Sequence, residues 1–305
     1  MSKKLVSITT DELQQELGDF ETLKFLKNIG ADGADFSLFR KNYDHRNPDS
    51  IYSKSDDEII EYYTKLRNYA DELGIKICQT HGRIDGFTRD EEENAAQVIN
   101  SRLDCLVTSV LGAPVCVMHG VNSIKMGIDC DPQVMRDLNF DMFNRYLVYA
   151  KEFNVQIATE TFGDALLWDE CDFFGNMDEF LKTYNRIAAV NDNKKYFSVC
   201  MDTGHTNKAL RFNNNPTPGD AIRILGDKIS VLHLHDNDTY TDQHKIPMTG
   251  CIDWDDVFDA LDEIGFDGYY NLELFLHHFG QNFKKETAEF AIKVMRHMLD
   301  TRYGV

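Results

Sequence analysis

Basic residues are scarce in this chain. Lys and Arg total 32 against 51 Asp and Glu, a formal net charge of −19 at pH 7 with His neutral. Phosphate backbones and anionic lipid are gripped by Lys and Arg that displace counterions. Nucleic acid is therefore disfavoured as a partner. Long apolar runs are missing too. No stretch approaches the ~18 residues that a membrane span needs, and the segment from Met1 to Glu12 has too little apolar content for a secretory signal. Cysteines number seven, an odd count, and none forms a Cys-x-x-Cys pair. Cys78, Cys116 and Cys200 lie inside apolar strand-like runs, where cysteine acts as a small hydrophobe. This usage suits a reducing cytosol better than a disulfide framework, so a cytoplasmic location is expected. Asn237-Asp238-Thr239 matches a glycosylation sequon by chance. There is no linker, low-complexity tract or short repeat, which predicts one domain over 1–305.

What is present is a regular alternation. Hydrophobic residues make up 42% and aromatics 11%, enough for a sizeable core. Apolar runs predict strands at Leu5–Ile8, Gly33–Phe36, Ile75–Thr80, Pro114–Met118, Gln156–Thr159, Tyr196–Met201, Ile229–Leu234 and Tyr269–Leu274. Most are continuous rather than alternating, as strands buried on both faces should be. Helical spacing predicts Asp57–Leu73, Glu92–Leu111, Asp137–Phe153, Met177–Val190, Asp220–Leu225, Trp254–Ile264 and Glu286–Leu299. Parallel pairing with right-handed crossovers follows. An α/β fold of the (β/α)8 TIM-barrel type fits the length, since such barrels run to roughly 250 residues. An open doubly wound sheet is the competitor. Two long loops, Ser37–Ser55 and Thr161–Asn176, are expected over the active face.

The strand ends carry the chemistry. Glu160, Asp202, His233 and Glu273 each close an apolar run, and His81 and His119 end the third and fourth strands, each followed by Gly. In a parallel barrel those ends meet on one face. Taken singly, each has a plainer reading: a mouth salt bridge for Glu160, an N-cap for Asp202, a backbone-bonded loop residue for His205, ordinary loop polarity for Asp242 and His244. Taken together, one geometric assumption explains them all. His233 and His235 are two apart, so both imidazoles face the mouth while Leu234 and Asp236 face away. Carboxylates and imidazoles gathered this way suit a divalent metal.

At these residues the chain resembles the xylose isomerase-like barrel superfamily of sugar isomerases and epimerases, which also holds abasic-site endonucleases. The resemblance runs through Glu160, Asp202-Thr-Gly-His205, His233-Leu-His-Asp236, Asp242-Gln-His244, Gly250-Cys-Ile-Asp-Trp254 and Gly265-Phe-Asp-Gly-Tyr leading to Glu273. It implies one divalent ion (Mn2+, Zn2+, Co2+ or Mg2+) on Glu160, Asp202, His233 and Glu273, with His205 on the substrate. It implies a sugar or sugar-phosphate isomerase or epimerase that moves a proton through a metal-stabilised enediolate, with Glu160 and Glu273 as acid and base. His81, His119, His244 and Trp168 are the further substrate-binding candidates, and Phe87 and Phe275 candidate apolar walls. Arg83, Lys125, Lys208 and Arg211 are candidates for a substrate phosphate. An inosose-type dehydratase is the near alternative. The endonuclease branch uses three zinc ions, and His81, His119, His205, Asp242 and His244 could fill the extra positions. The loop after Glu160 lacks that branch's Thr-Ala-Gly-Gln-Gly run, and the net charge is wrong for a duplex. The resemblance also implies a small sugar or polyol partner and a homo-oligomer.

Overall fold

Eight strands form a ring in the computed structural model, which describes residues 3–39, 43–165, 169–212 and 214–304. They are β1 (Leu5–Thr9), β2 (Gly33–Ser37), β3 (Lys76–His81), β4 (Val115–Met118), β5 (Gln156–Glu160), β6 (Phe197–Asp202), β7 (Ile229–His233) and β8 (Tyr269–Leu272). The sheet order is β8-β1-β2-β3-β4-β5-β6-β7, all parallel. A parallel bridge between Leu234 and Leu272 joins its two ends. The ring closes there through Leu234 N–H to Asn271 O (2.8 Å) and Glu273 N–H to Leu234 O (3.2 Å). The expected TIM barrel is present, and the open sheet is excluded.

Helices α3 (Asp56–Leu73), α4 (Glu91–Leu111), α6 (Pro132–Phe153), α7 (Met177–Ala188), α10 (Pro218–Leu225), α11 (Trp254–Glu263) and α12 (Lys284–Tyr303) occupy the predicted positions, with the single turns α5 (Ser123–Met126) and α8 (Asn193–Tyr196) between them. Local chemistry sets their ends. Ser55 and Glu58 form a capping box on α3, and Gly74 closes it in the left-handed region that glycine adopts without strain. Helix α6 starts five residues earlier than its apolar spacing suggested, because Asp131 caps it and Pro132 fits its first turn. Two features were not anticipated. Between β1 and β2 lie α1 (Asp11–Leu17) and α2 (Asp19–Asn28), whose apolar stripes are short. Directly after β6 comes α9 (Thr203–Ala209), seven residues whose side chains are all buried.

Inside the ring, Val115, Val117, Ala158, Cys200 and Val231 form a small apolar plug. Ala158, Cys200 and Val231 stand two residues before Glu160, Asp202 and His233, so plug and site share the inner strand faces. The larger core fills the space between strands and helices. All seven cysteines are free thiols. No helix among the described residues is long and apolar enough to cross a membrane.

Candidate metal centre

Four strand-end donors converge. Ligand atoms of Glu160, Asp202, His233 and Glu273 all lie within 4.8 Å of one another. Glu160 Oε2 is 3.1 Å from His233 Nδ1 and 3.2 Å from His119 Nε2. Glu273 Oε2 is 3.3 Å from His233 Nδ1, and Glu273 Oε1 is 3.1 Å from His81 Nδ1. Glu160 is 1% exposed, while Asp202 and His233 are fully buried. Both Glu160 carboxylate oxygens, His233 Nδ1 and Glu273 Oε2 are buried with no partner in hydrogen-bond geometry. Such groups are costly unless something else satisfies them. Three carboxylates and one imidazole facing a common point fit a hard or borderline divalent ion.

Electrostatics agree with that fit. Burial pushes the Glu160 carboxyl up, but the imidazoles of His119 and His233 outweigh it and hold it well below the usual range. Glu273 follows the same pattern, with His233 the main opposing group. Conversely, burial lowers His233, but Cys200, Glu273 and Glu160 more than reverse this and raise it well above the ordinary imidazole value. The cluster is an anionic nest that draws positive charge.

Asp202 serves twice. It ends β6 and caps α9, its Oδ1 accepting the His205 N–H at 2.6 Å. Cap and convergent donor are therefore one residue. His235 Nε2 lies 3.0 Å from Asp202 Oδ1. Gly204 is needed for space. It lies in the first turn of α9, where a Cβ would come 2.0 Å from His235 Cε1, so only glycine leaves room for that ring.

A second cluster adjoins the first. His205, His235, Asp242 and His244 have donor atoms within 4.8 Å of one another. His244 stands at φ 43° in the loop beyond β7 and stacks on His235 at 3.8 Å between centroids. Asp242 lies 3.3 Å from His244 Nε2 and 3.5 Å from His205 Nε2. Burial alone would lower His244, but Asp242 and then Glu273 raise it to about 9. A third grouping joins His81 and His119 to Glu160, with the two Nε2 atoms 3.1 Å apart. The carboxylate and imidazole candidates of the strand ends and of the loop after β7 thus meet at the mouth. Trp168 lies outside the described residues.

One buried partner went unnoticed in the sequence. Asp35, in β2, is fully buried, and its Oδ2 lies 3.2 Å from His233 Nε2. Gln79 and Asn271 donate to the same oxygen at 3.2 and 3.0 Å. The signal was available, because Asp35 is a carboxylate inside an apolar strand, just as Glu160 is.

Several peripheral expectations are corrected. Phe87 is no pocket wall; it is fully buried, edge-on to Tyr146. Arg83 pairs with Asp104 of α4, Nε to Oδ2 at 2.7 Å, and donates to Leu38 O, so it is committed to the fold. Lys208 is buried in α9, Lys125 pairs with Asp85 at 3.0 Å, and Arg211 pairs with Asp169 at 2.8 Å. Of the Ser37–Ser55 loop, Tyr43 and Tyr52 join the core, while Phe39 lies over His81 at 4.9 Å. Phe275 stacks on His244 at 4.4 Å.

Comparison with known proteins agrees with the fold. Among solved structures, the chain is similar to a D-tagatose 3-epimerase-like protein (19% identity, TM-score 0.73, 97% of each chain covered). It is also similar to the IolI protein with a bound zinc atom (17% identity, TM-score 0.75, 99% and 100% covered). At those identities the likeness is one of fold. The uncharacterized protein y4fM of Sinorhizobium fredii is 26% identical over 173 residues, 56% of this chain and 50% of that protein. The match thus spans about half the length of that curated relative. The model of the xylose isomerase-like TIM barrel matches residues 23–298, and the chain belongs to that family.

Proposed function

We propose that the protein is a divalent-metal-dependent isomerase or epimerase of a small sugar or polyol. The observation that carries this reading is the set of four strand-end donors within 4.8 Å, with Glu160, His233 and Glu273 atoms buried and without a partner in hydrogen-bond geometry. Glu160, Asp202, His233 and Glu273 would hold the ion, whose positive charge offsets negative charge developing on substrate oxygens. The chain's own part is proton transfer. Glu160 and Glu273 are the carboxylates that take a proton from the carbon beside a carbonyl and return one. His205, fixed by the Asp202 cap and by Glu160 Oε1 at 2.9 Å from its Nδ1, would hold a substrate hydroxyl. His81, His119 and His244 line the same mouth and would contact the remaining oxygens, and Trp168 is proposed with them. The epimerase-like and zinc-bearing neighbours support a sugar reaction of this type. Manganese, zinc, cobalt and magnesium all suit the donor set, and β-elimination of a hydroxyl is the alternative outcome of the same proton abstraction. A cytoplasmic location and a homo-oligomer are part of the proposal.

A second reading has one observation in its favour. The three adjoining donor groups could hold up to three ions, as hydrolysis of a phosphodiester uses. Incubation of the ion-loaded protein with ketoses in D2O separates the two. The isomerase reading expects deuterium at the carbon beside the carbonyl, lost on chelation. Three zinc ions per chain, cleavage of an abasic duplex and no exchange would favour the hydrolase instead.

A further inference from the structure

A buried ion pair lies behind the barrel mouth, outside both donor clusters. Arg83 follows β3 and is 6% exposed, and Asp104 of α4 is fully buried. The guanidinium meets the carboxylate through two nitrogens, Nε to Oδ2 at 2.7 Å and Nη2 to Oδ1 at 3.3 Å. Tyr52, from the loop after β2, donates its hydroxyl to Asp104 Oδ1 at 2.7 Å. Gly82 permits the approach, since a Cβ there would come 2.9 Å from Asp104 Oδ2.

Such a pair is a poor source of stability. Taking two charges out of water costs about what their attraction returns, and apolar side chains of the same volume often hold a fold as well. What apolar side chains cannot supply is direction, which the planar fork of an arginine does. Arg83 Nη2 also donates to Leu38 O, just after β2. The Arg83 carbonyl accepts the His119 N–H at 2.8 Å, and the Leu38 N–H donates to His81 O at 2.6 Å. The ends of β2, β3 and β4 are therefore tied together at one residue. Each tie has a mouth ring beside it: Phe39 after Leu38, His81 two residues before Arg83, and His119 itself. Those rings touch one another. Phe39 lies over His81 at 4.9 Å between centroids, and His81 Nε2 is 3.1 Å from His119 Nε2. His81 and His119 face Glu273 and Glu160 in turn, at 3.1 and 3.2 Å.

We propose that Arg83 and Asp104 are positioning residues of the mouth: their pair sets the spacing of His81 and His119 and seats Phe39 on His81. Arg83 acts through these rings and not on a substrate. The placement of the rings stands on geometry alone, and its effect on turnover rests on the isomerase reading.

The test reads the rings directly, by nuclear magnetic resonance of the full chain carrying 15N-labelled histidine and incubated with zinc. The His81 and His119 ring signals are assigned by their loss in His81→Gln and His119→Gln. Two variants disturb the pair. Arg83→Lys keeps the charge but loses the fork that holds Asp104 and Leu38 O together. Arg83→Met combined with Asp104→Leu removes both charges and leaves neither stranded in the interior. In both variants the His81 and His119 signals are expected to shift while those of His205, His235 and His244 stay. The urea midpoint of the double variant should remain near that of the wild type. Exchange of a ketose in D2O should lose about tenfold or more in kcat/KM, because small misplacements at a reacting centre are costly. Unmoved His81 and His119 signals in either folded variant overturn the proposal. A double variant that fails to fold, or a shift shared by all the mouth histidines, makes the pair an ordinary support of the fold and overturns it too. If the wild type exchanges no ketose, the isomerase reading falls, and the ring signals alone decide the positioning.

Discussion

The two donor clusters at the barrel mouth are built from different materials. The first takes Glu160, Asp202 and His233 from the last residues of β5, β6 and β7, and Glu273 from the residue after β8. The second takes His205 from α9, His235 from beyond β7, and Asp242 and His244 from the following loop. The first is oxygen-rich, with three carboxylates to one imidazole. The second is nitrogen-rich, with three imidazoles to one carboxylate. Hard ions such as Mg2+ and Mn2+ suit the former, and Zn2+ or Co2+ suits the latter. Their support differs as well. Ladder hydrogen bonds on both sides fix the strand ends, whereas His244 holds a positive φ and depends on stacking between His235 and Phe275. Donors on a rigid sheet keep their spacing before the ion arrives. Donors on a loop are ordered more by what they bind.

The comparison can be broken most sharply at Glu273. Glu273→Gln keeps the shape but removes a charged donor and a candidate proton carrier, so exchange should fall about 10²–10⁴-fold while circular dichroism stays native. Undiminished exchange would remove Glu273 from the chemistry. A smaller effect is expected behind the first cluster. Asp35 faces His233 Nε2 and leaves Nδ1 turned toward Glu160 and Glu273. Asp35→Asn should weaken ion binding about 10–100-fold, as loss of a partner behind a ligating histidine does. Zinc added to the second cluster should be unaffected. Competition against a coloured chelator measures both affinities, and equal loss at the two clusters would mean that Asp35 serves the fold generally.

The smallest effect lies where the long loop is tied down beside both clusters. Asp172 is buried and accepts the Ser123 and Phe174 N–H groups at 2.7 and 2.8 Å. Burial pushes its carboxyl up to about 6, against those bonds. A folded value above the ordinary one of 3.8 means its contribution is complete below about pH 4 and is lost as pH rises through about 6. Between pH 5 and 7 the loss is about 1 kcal/mol. Urea melts of wild type and Asp172→Asn should converge toward neutral pH by that amount. A gap that does not change with pH would show that Asp172 titrates normally.

The same contrast explains what the sequence made legible. Strands β1 to β8 stood out because continuous apolar runs mark strands buried on both faces, and the first cluster stood out because a carboxylate or imidazole interrupts each run. Asp35 carries the same mark, but β2 is followed by a long polar loop and not by a recognisable pattern. Helix α9 was hidden since its seven residues are buried on all sides and show no amphipathic stripe. That burial is also why the need for Gly204 could not be read from spacing: the His235 ring that claims its space comes from another strand's end. Phe87 and Arg83 look like mouth residues by position, yet both turn outward into the packing between β3 and the helices, where Tyr146 and Asp104 receive them.

Metal analysis of the purified, ion-replete protein decides whether the strand-end donors hold an ion, with wild type, Asp202→Asn and Asp242→Asn measured side by side. A firmly held divalent ion is expected that survives Asp242→Asn and is lost or greatly weakened in Asp202→Asn. A wild-type protein that holds no divalent ion, or an ion indifferent to Asp202→Asn, would contradict it.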